Sequence, residues 1–116
     1  MAYARLIRKT QKENLWLYIL SILRHGPTYA YELRNIIERR FHFEVGEVTA
    51  YVILYGLKKE GCVKILREEP RKEGLPRKYY SITPQGRALL SKGVAYLKQL
   101  CESLKREEGV LQPDKL

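Results

Sequence analysis

Two short β-prone segments joined by a basic turn segment constrain the fold of this chain most. The segment "CVKILRE" (62–68) alternates, with Val63, Ile65 and Arg67 on one side of the extended chain, and this alternation predicts a strand. The segment "KYYSIT" (78–83) predicts a second strand. The nine residues between them are rich in proline, glycine and basic side chains, which are typical of a turn. We therefore expect a β-hairpin with a long basic tip.

Apolar periodicity predicts three helices before this hairpin. The first covers roughly 10–25 and ends at a Gly-Pro pair, and residues 3–9 can continue its pattern. The second covers roughly 29–40, with Thr28 as its N-cap. After "HFEVG", which predicts a turn or a very short strand, the third covers roughly 47–60. Its inward stripe consists of Ala50, Tyr51, Leu54 and Leu57.

A fourth helix is predicted after the hairpin, over 84–108. Pro84 suits the first position of a helix, since its missing N–H would be unpaired there in any case. Apolar residues then recur at alternating spacings of four and three, which is the pattern of a coiled-coil seam. These residues are Leu90, Val94, Leu97, Cys101 and Leu104.

The predicted fold class is mainly α with a small β-hairpin. Three helices followed by a hairpin form a winged helix-turn-helix, and the fourth helix is long enough to mediate dimerisation. We expect a DNA-binding winged helix-turn-helix domain at 1–83, including the N-terminal helix. A C-terminal dimerisation helix at 84–108 and a flexible tail at 109–116 follow.

The charge balance favours a nucleic-acid partner. The 116 residues include 22 basic and 13 acidic side chains, for a net charge of +9. The pI of about 9.7 is in the range expected of a nucleic-acid-binding domain, although a basic protein with another role has the same balance. The basic excess lies mainly in residues 1–25 and 62–83.

Other classes of function find little support in the sequence. Nine residues form the longest near-continuous apolar run, whereas a membrane span needs about 20. Cys62 and Cys101 have neither metal-ligand nor disulfide-scaffold spacing, so we expect a cytoplasmic protein without metal or cofactor. His25 and His42 have no catalytic partner at useful spacing, and no phosphate-binding Gly-Lys-Ser/Thr loop is present. We therefore expect no enzymatic activity.

Three stretches of the sequence resemble the PadR-like transcriptional regulators. "HGPTYAYEL" (25–33) resembles the family's Gly-Pro-x-His-Gly-Tyr-Glu-Leu, and "TAYVILYGLKKEGCV" (49–63) resembles its Tyr-x-x-Leu-x-x-Leu-x-x-x-Gly. "GLPRKYYSITPQGRALL" (74–90) resembles the Pro-Arg-x-Tyr-Tyr-x-x-Thr-x-x-Gly-Arg run. This chain departs from the pattern in Tyr29-Ala30, which replaces His-Gly. It departs again at 45–48, where "VGEV" replaces a Pro-Ser-Pro-Gly-like run.

The resemblance implies a homodimeric repressor that binds double-stranded DNA, and some members respond to small aromatic molecules. The predicted helix 47–60 would then enter the major groove. Because this helix has no Arg, Asn or Gln on its outer face, we expect affinity to come mainly from phosphate contacts. Its predicted DNA-contacting residues are Thr49, Val52, Tyr55, Gly56 and Lys59.

The wing, defined as residues 69–78, supplies those phosphate contacts. We expect it to touch the DNA backbone or the minor groove. The alternative is a solvated loop whose charge serves solubility, and three glutamates between positions 68 and 73 favour that alternative. The predicted contacts are Arg71, Lys72, Arg77 and Lys78.

Three further sets of residues have two interpretations each. The seam from Leu90 to Leu104 suits a dimer interface and also packing on the first helix of the same chain. Trp16 is either a core residue or part of a pocket for an aromatic effector between subunits. A basic stripe near the N-terminus suits DNA backbone flanking the site and equally a solvated helix face; it consists of Arg5, Arg8, Lys9 and Lys12.

Two alternatives to a sequence-selective regulator stay open. One is a winged helix that binds protein, which the apolar third helix and Glu47 favour. The other is a sequence-neutral chromatin protein that would associate with the nucleoid in a prokaryote. The net charge and the basic wing favour DNA over a protein partner.

Overall fold

The computed structural model describes residues 1–110, with side chains through residue 107. The predicted second and third helices, the two hairpin strands and the long last helix are present, and α5 continues two residues past the predicted end at 108. Of the predicted tail, 109–116, the segment 111–116 lies outside the described residues. The elements are α1 (Ala2–Lys12), α2 (Leu15–Leu23), β1 (Thr28–Tyr29), α3 (Ala30–Phe41), α4 (Glu47–Lys59), β2 (Val63–Glu69), β3 (Arg77–Ile82) and α5 (Pro84–Val110).

The single first helix predicted over roughly 10–25 is wrong, because the chain forms two helices with a break at residues 13 and 14. Asn14 leaves the helical conformation, at φ −123° and ψ 33°. Its side-chain amide donates to the carbonyl of Lys9 at 3.3 Å, which satisfies an acceptor in the last turn of α1. The break separates α1, which has no buried residue, from α2, most of which is buried.

The hairpin gains a third, short strand that no sequence pattern predicted. β1 pairs with β3, so the antiparallel sheet has the order β1-β3-β2. Thr28 therefore pairs with Tyr80 in the sheet, and the prediction that it caps the second helix is wrong. Tyr29 occupies the N-cap position of α3 without a side-chain hydrogen bond.

One buried cluster holds α2, α3, α4, the sheet and the start of α5 together. Its most deeply buried side chains include Leu20 and Ile37, and Leu90 of α5 belongs to the same cluster. Tyr51 does not belong to it: the side chain is 48% exposed, so its assignment to the inward stripe of the third predicted helix is wrong. Beyond Leu90, no side chain of α5 is buried through residue 107.

The junction between the sheet and α5 consists of Gly61, Cys62, Thr83 and Gly86. Gly61, at φ +77°, ends α4 as predicted, with the Cys62 N–H donating to the Leu57 carbonyl at 2.8 Å. The Thr83 hydroxyl donates to the Gly61 carbonyl at 2.6 Å and accepts from the Gly86 N–H at 3.1 Å. Thr83 N–H also donates to the Cys62 carbonyl at 3.1 Å. These bonds fix the start of α5 against the end of α4.

Candidate nucleic-acid interface

The outer face of α4 is exposed along its length. Val52 is 60% exposed and Tyr55 is 62% exposed, and Thr49 and Lys59 are exposed as well. The Lys59 ammonium lies 5.6 Å from the centroid of the Tyr55 ring, so this part of the face combines a cation with an aromatic surface. Val48 and Tyr51 extend the exposed face at the start of the helix.

Gly56 lies on α4 where a side chain would have room. A Cβ atom built there would meet nothing within 4 Å among the described residues. Packing inside the chain therefore does not account for this glycine, although glycine costs about 1 kcal/mol relative to alanine in a helix. A close approach of an external backbone, such as that of DNA, would account for it.

The loop between α3 and α4 sets the direction of α4. Arg34 donates from Nε to the carbonyl of Val45 at 2.8 Å, and the Val45 side chain is 7% exposed. His42 ends α3 in the left-handed conformation, with φ 62° and ψ 37°. Residues 42–46 form an irregular loop, so the strand interpretation of "HFEVG" is wrong. A single arginine on a helix face predicts no particular partner, so this role of Arg34 has no signal in the sequence.

The wing extends from the sheet as the predicted basic hairpin. Arg71 and Lys72 are exposed near its tip, whereas Arg77 is partly buried at the start of β3. Gly74 has φ +83°, and the Arg71 guanidinium lies 3.8–4.0 Å from where a Gly74 Cβ would stand, so the tip folds back on itself. The ion pairs found among the described residues, Lys9–Glu13 and Arg39–Glu32, leave the wing cations free.

A β-bulge in β2 changes the side chain that faces Tyr79. Ile65 pairs with Tyr80, yet Arg67 pairs with Tyr79, so Leu66 is the extra residue. The bulge carries Arg67 away from the face of Val63 and Ile65, where the strict alternation predicted it. Its guanidinium carbon lies 4.0 Å from the centroid of the Tyr79 ring. Tyr80, by contrast, is 7% exposed and faces the core.

Burial raises the pKa of the Tyr80 phenol, and nearby Tyr51 and Glu68 raise it further. The hydroxyl therefore stays protonated near neutral pH. Tyr80 is one of several tyrosines that line a groove where the wing faces the starts of α3 and α4.

This groove has a volume of about 660 Å³. Its walls combine tyrosine rings, among them Tyr31 and Tyr51, with wing cations, while Glu47 is its acidic side chain. Its lining holds three cations and one carboxylate, a positive balance that attracts an anionic backbone. The wing contributes Arg71, Arg77 and Lys78 to the lining, whereas Lys72 lies outside it.

The N-terminal basic stripe lies on α1. All four of its residues are exposed, and Lys9 forms an ion pair with Glu13 at 2.6 Å. An exposed pair of this kind contributes little to stability. The same helix also exposes Leu6 and Ile7, which are 62% and 40% exposed. No pattern in the sequence predicted this exposed apolar surface on α1.

The predicted seam on α5 divides into a buried and an exposed part. Leu90 is 5% exposed and packs in the core of its own chain, which favours the intrachain interpretation for this residue. The exposed part continues along the helix, with Val94 50%, Leu97 39%, Leu100 40% and Leu104 60% exposed. Cys101 on the same helix is a free, exposed thiol.

Trp16 packs against the core at α5. A Cβ atom on Gly93 would lie 2.8 Å from Trp16 Cη2 and 2.8 Å from Leu17 Cδ2, so the glycine makes room for both side chains. This contact favours the core interpretation of Trp16. Among the described residues, no group of His, Cys, Asp and Glu side chains is arranged to hold a metal ion, and no helix is long and apolar enough to cross a membrane.

Comparison with known proteins identifies relatives of this architecture. The model of a family described as the transcriptional regulator PadR-like family matches residues 19–92. A PadR-like transcription factor from Bacteroides fragilis is 26% identical with a TM-score of 0.73, over 88% of this chain and 97% of that one. A comparison with curated proteins found no match.

Two solved structures with lower sequence identity share the fold. A PadR family transcriptional regulator from Eggerthella lenta has a TM-score of 0.79 at 22% identity, over 95% of each chain. Bacillus subtilis PadR, solved in complex with operator DNA, has a TM-score of 0.62 at 23% identity, over 69% of this chain and 45% of that one. The predicted fold class, a winged helix-turn-helix followed by a long helix, is thereby confirmed.

Proposed function

Because the chain belongs to the PadR-like family of transcriptional regulators, we propose that it binds double-stranded DNA as a homodimer and represses transcription. The observation that supports this most is the exposed face of α4 beside a basic wing, with a groove of about 660 Å³ between them. In this proposal α4 enters the major groove and the wing contacts backbone phosphates.

Phosphate contacts supply most of the affinity in this proposal. The outer face of α4 has no Arg, Asn or Gln and therefore lacks the best partners for base edges. Val52 offers a surface for a thymine methyl group, and Thr49 offers a hydroxyl. We expect modest discrimination between base sequences and a strong dependence of affinity on salt.

A second copy of the chain is the proposed partner of the exposed apolar stripe on α5. Val94, Leu97 and Leu104 follow the heptad spacing and are all exposed in the single chain. The exposed Leu6 and Ile7 of α1 add to the apolar surface that a partner would cover. A dimer would place the two α4 helices about 34 Å apart, one turn of DNA, and would select near-palindromic sites.

A DNA-binding titration over a salt series tests this function. Fluorescence anisotropy with random-sequence and genomic duplexes separates the three candidates. A sequence-selective regulator prefers some genomic duplexes, a sequence-neutral chromatin protein binds all equally, and a protein-interaction module binds none. The apolar face of α4 is the observation that favours the last of these.

The wing is tested by the double variant Arg71→Ala/Lys72→Ala. We expect weaker binding to every duplex and a salt slope lower in magnitude by about 1–2, since each phosphate contact contributes about 0.9. Lys92→Ala/Arg106→Ala removes the same charge from the side of α5 opposite the apolar stripe and should leave the slope unchanged. An unchanged slope in the wing variant would contradict the phosphate role.

Oligomeric state is tested by sedimentation velocity, where a monomer at micromolar concentration would contradict the dimer. A cytoplasmic location and the absence of catalysis stay predictions. A small aromatic effector beside Trp16 is a prediction that rests on the family resemblance alone.

A further inference from the structure

Four side chains stack across the outer face of the three-stranded sheet. The Arg77 guanidinium carbon lies 4.6 Å from the centroid of the Tyr29 ring. The Tyr29 and Tyr79 rings meet edge to face, with centroids 5.2 Å apart and planes at 64°. Arg67 covers the far side, 4.0 Å from the centroid of the Tyr79 ring. The order is therefore cation, ring, ring, cation. β1 contributes Tyr29, β2 contributes Arg67, and β3 contributes Arg77 and Tyr79.

The sheet register builds this stack. β1 ends with Tyr29 directly opposite Tyr79, so both rings project from the same face. Without the bulge at Leu66, Arg67 would lie opposite Lys78; with it, Arg67 lies opposite Tyr79. The bulge thus replaces a repulsive pair of cations by a favourable contact between a cation and a ring, and it brings Glu68 opposite Lys78.

The stack holds Arg77 at the groove described above. Both Arg77 and Tyr29 line that groove, together with Glu47 and Tyr51 of α4. Glu69 lies opposite Arg77 in the sheet, yet among the described residues no ion pair engages the Arg77 guanidinium, so its N–H groups stay available beside the Tyr29 ring. An arginine loses much side-chain entropy when it grips a phosphate, and a guanidinium already fixed in place loses less.

We propose that Tyr29 is a positioning residue for Arg77, which it holds ready to contact a DNA phosphate at the base of the wing. Tyr79 and Arg67 support the Tyr29 ring from the other side. This inference rests on the proposed DNA-binding function and sharpens it, because it assigns the preorganised contact to Arg77 and not to the exposed tip pair Arg71-Lys72. Tyr29 occupies the position at which the PadR-like pattern has histidine, so the contact between the Tyr29 ring and Arg77 is a feature of this chain and not of the family pattern.

A double-mutant cycle between Tyr29 and Arg77 tests the proposal. Duplex affinity and salt slope are measured for Tyr29→Leu, Arg77→Gln and the double variant. We expect Tyr29→Leu to weaken binding about two- to fivefold, the worth of one exposed cation–π contact. Arg77→Gln should weaken binding more than Tyr29→Leu does and should lower the magnitude of the salt slope by about 0.9. Adding Tyr29→Leu to Arg77→Gln should change neither the duplex affinity nor the salt slope any further.

Two further variants separate positioning from a general loss of structure. Tyr29→Phe keeps the ring and should bind DNA as the parent does, whereas a role for the hydroxyl would weaken it. Tyr96→Leu removes an exposed tyrosine from α5, outside the groove, and serves as the control. In the free protein, the NMR resonance of the Arg77 Nε proton should be shifted by the Tyr29 ring and should lose that shift only in Tyr29→Leu.

The outcomes distinguish this inference from the function on which it rests. If the parent binds duplex DNA but the losses at Tyr29 and Arg77 are additive, the positioning role is overturned and the DNA-binding function stands. If Arg77→Gln leaves the salt slope unchanged, Arg77 makes no phosphate contact and the inference also fails. If the parent binds no duplex at any salt concentration, the proposed function falls, and the inference falls with it.

Discussion

Replacing Gly86 by alanine should destabilise the fold far more than the same change at Gly56, a helical glycine with open space around it. A Cβ atom at this position would overlap the carbonyl oxygen of Cys62 and would lie 2.8 Å from Ile82 Cγ1. The carbonyl belongs to the backbone and cannot rotate away as a side chain can. The start of α5 would therefore have to move away from the end of α4.

That movement would break the hydrogen bonds of the junction. The Thr83 N–H to Cys62, the Thr83 hydroxyl to Gly61 and the Gly86 N–H to Thr83 all depend on the present spacing. Each such bond contributes about 1 kcal/mol net, so losing all three costs about 3 kcal/mol. Alanine returns up to about 1 kcal/mol through its higher helix propensity. We expect a net destabilisation of about 2–3 kcal/mol.

Gly56→Ala provides the matched control. The substitution is chemically identical, the site is also helical, and a Cβ there meets nothing within 4 Å. We expect Gly56→Ala to stabilise the chain by up to about 1 kcal/mol. Urea unfolding followed by circular dichroism, with equal m-values checked for all variants, gives both numbers at a fixed protein concentration. If Gly86→Ala is no less stable than Gly56→Ala, the close approach of Gly86 to Cys62 is not real.

Three further results are expected. Gly93→Ala should cost about 1–2 kcal/mol in urea unfolding and shift the emission of Trp16, because only side chains crowd that site and they can yield; unchanged emission would contradict the contact. His42→Gly should raise the free energy of unfolding by about 0.5–1 kcal/mol, since His42 is exposed and has φ 62°; a loss would show that its side chain is needed. The raised pKa of Tyr80 means that the folded state holds the phenolic proton more tightly than the unfolded state. Stability should therefore fall as pH rises above the ordinary value of 10.0, and Tyr80→Phe should lessen the fall measured in a pH series of urea unfolding curves.

The sequence identified the elements on which function depends, because their patterns are local. The periodicities of α3 and α4, the glycine after α4 and the alternation of the hairpin strands all act within a few residues. For the same reason the outward positions of Thr49, Val52 and Tyr55 were predicted once Leu54 and Leu57 were assigned to the core. Tyr51 was misassigned, since a large tyrosine at the edge of the stripe fits either side.

The errors share a different cause, which is contact between residues distant in sequence. Thr28 has the composition of an N-cap, yet its pairing with Tyr80 makes it a strand residue. The break between α1 and α2 interrupts a helical pattern that continues across it, and it separates the exposed α1 from α2, which packs in the core with residues far along the chain. Neither a pairing across about fifty residues nor packing against distant residues leaves a local pattern.

The sequence by itself determined a mainly helical chain with a basic hairpin, since periodicity and turn residues act over a few positions. It also determined the cationic character of the wing. Tertiary structure alone decided that Arg77 of the wing contacts an aromatic ring, whereas Arg71 stays exposed near the tip. Arg77 meets Tyr29 only because a two-residue strand joins the sheet, and Arg67 meets Tyr79 only because the sheet register shifts by one residue at Leu66. Such stacking depends on register and distance across strands, which a linear pattern of charges does not contain.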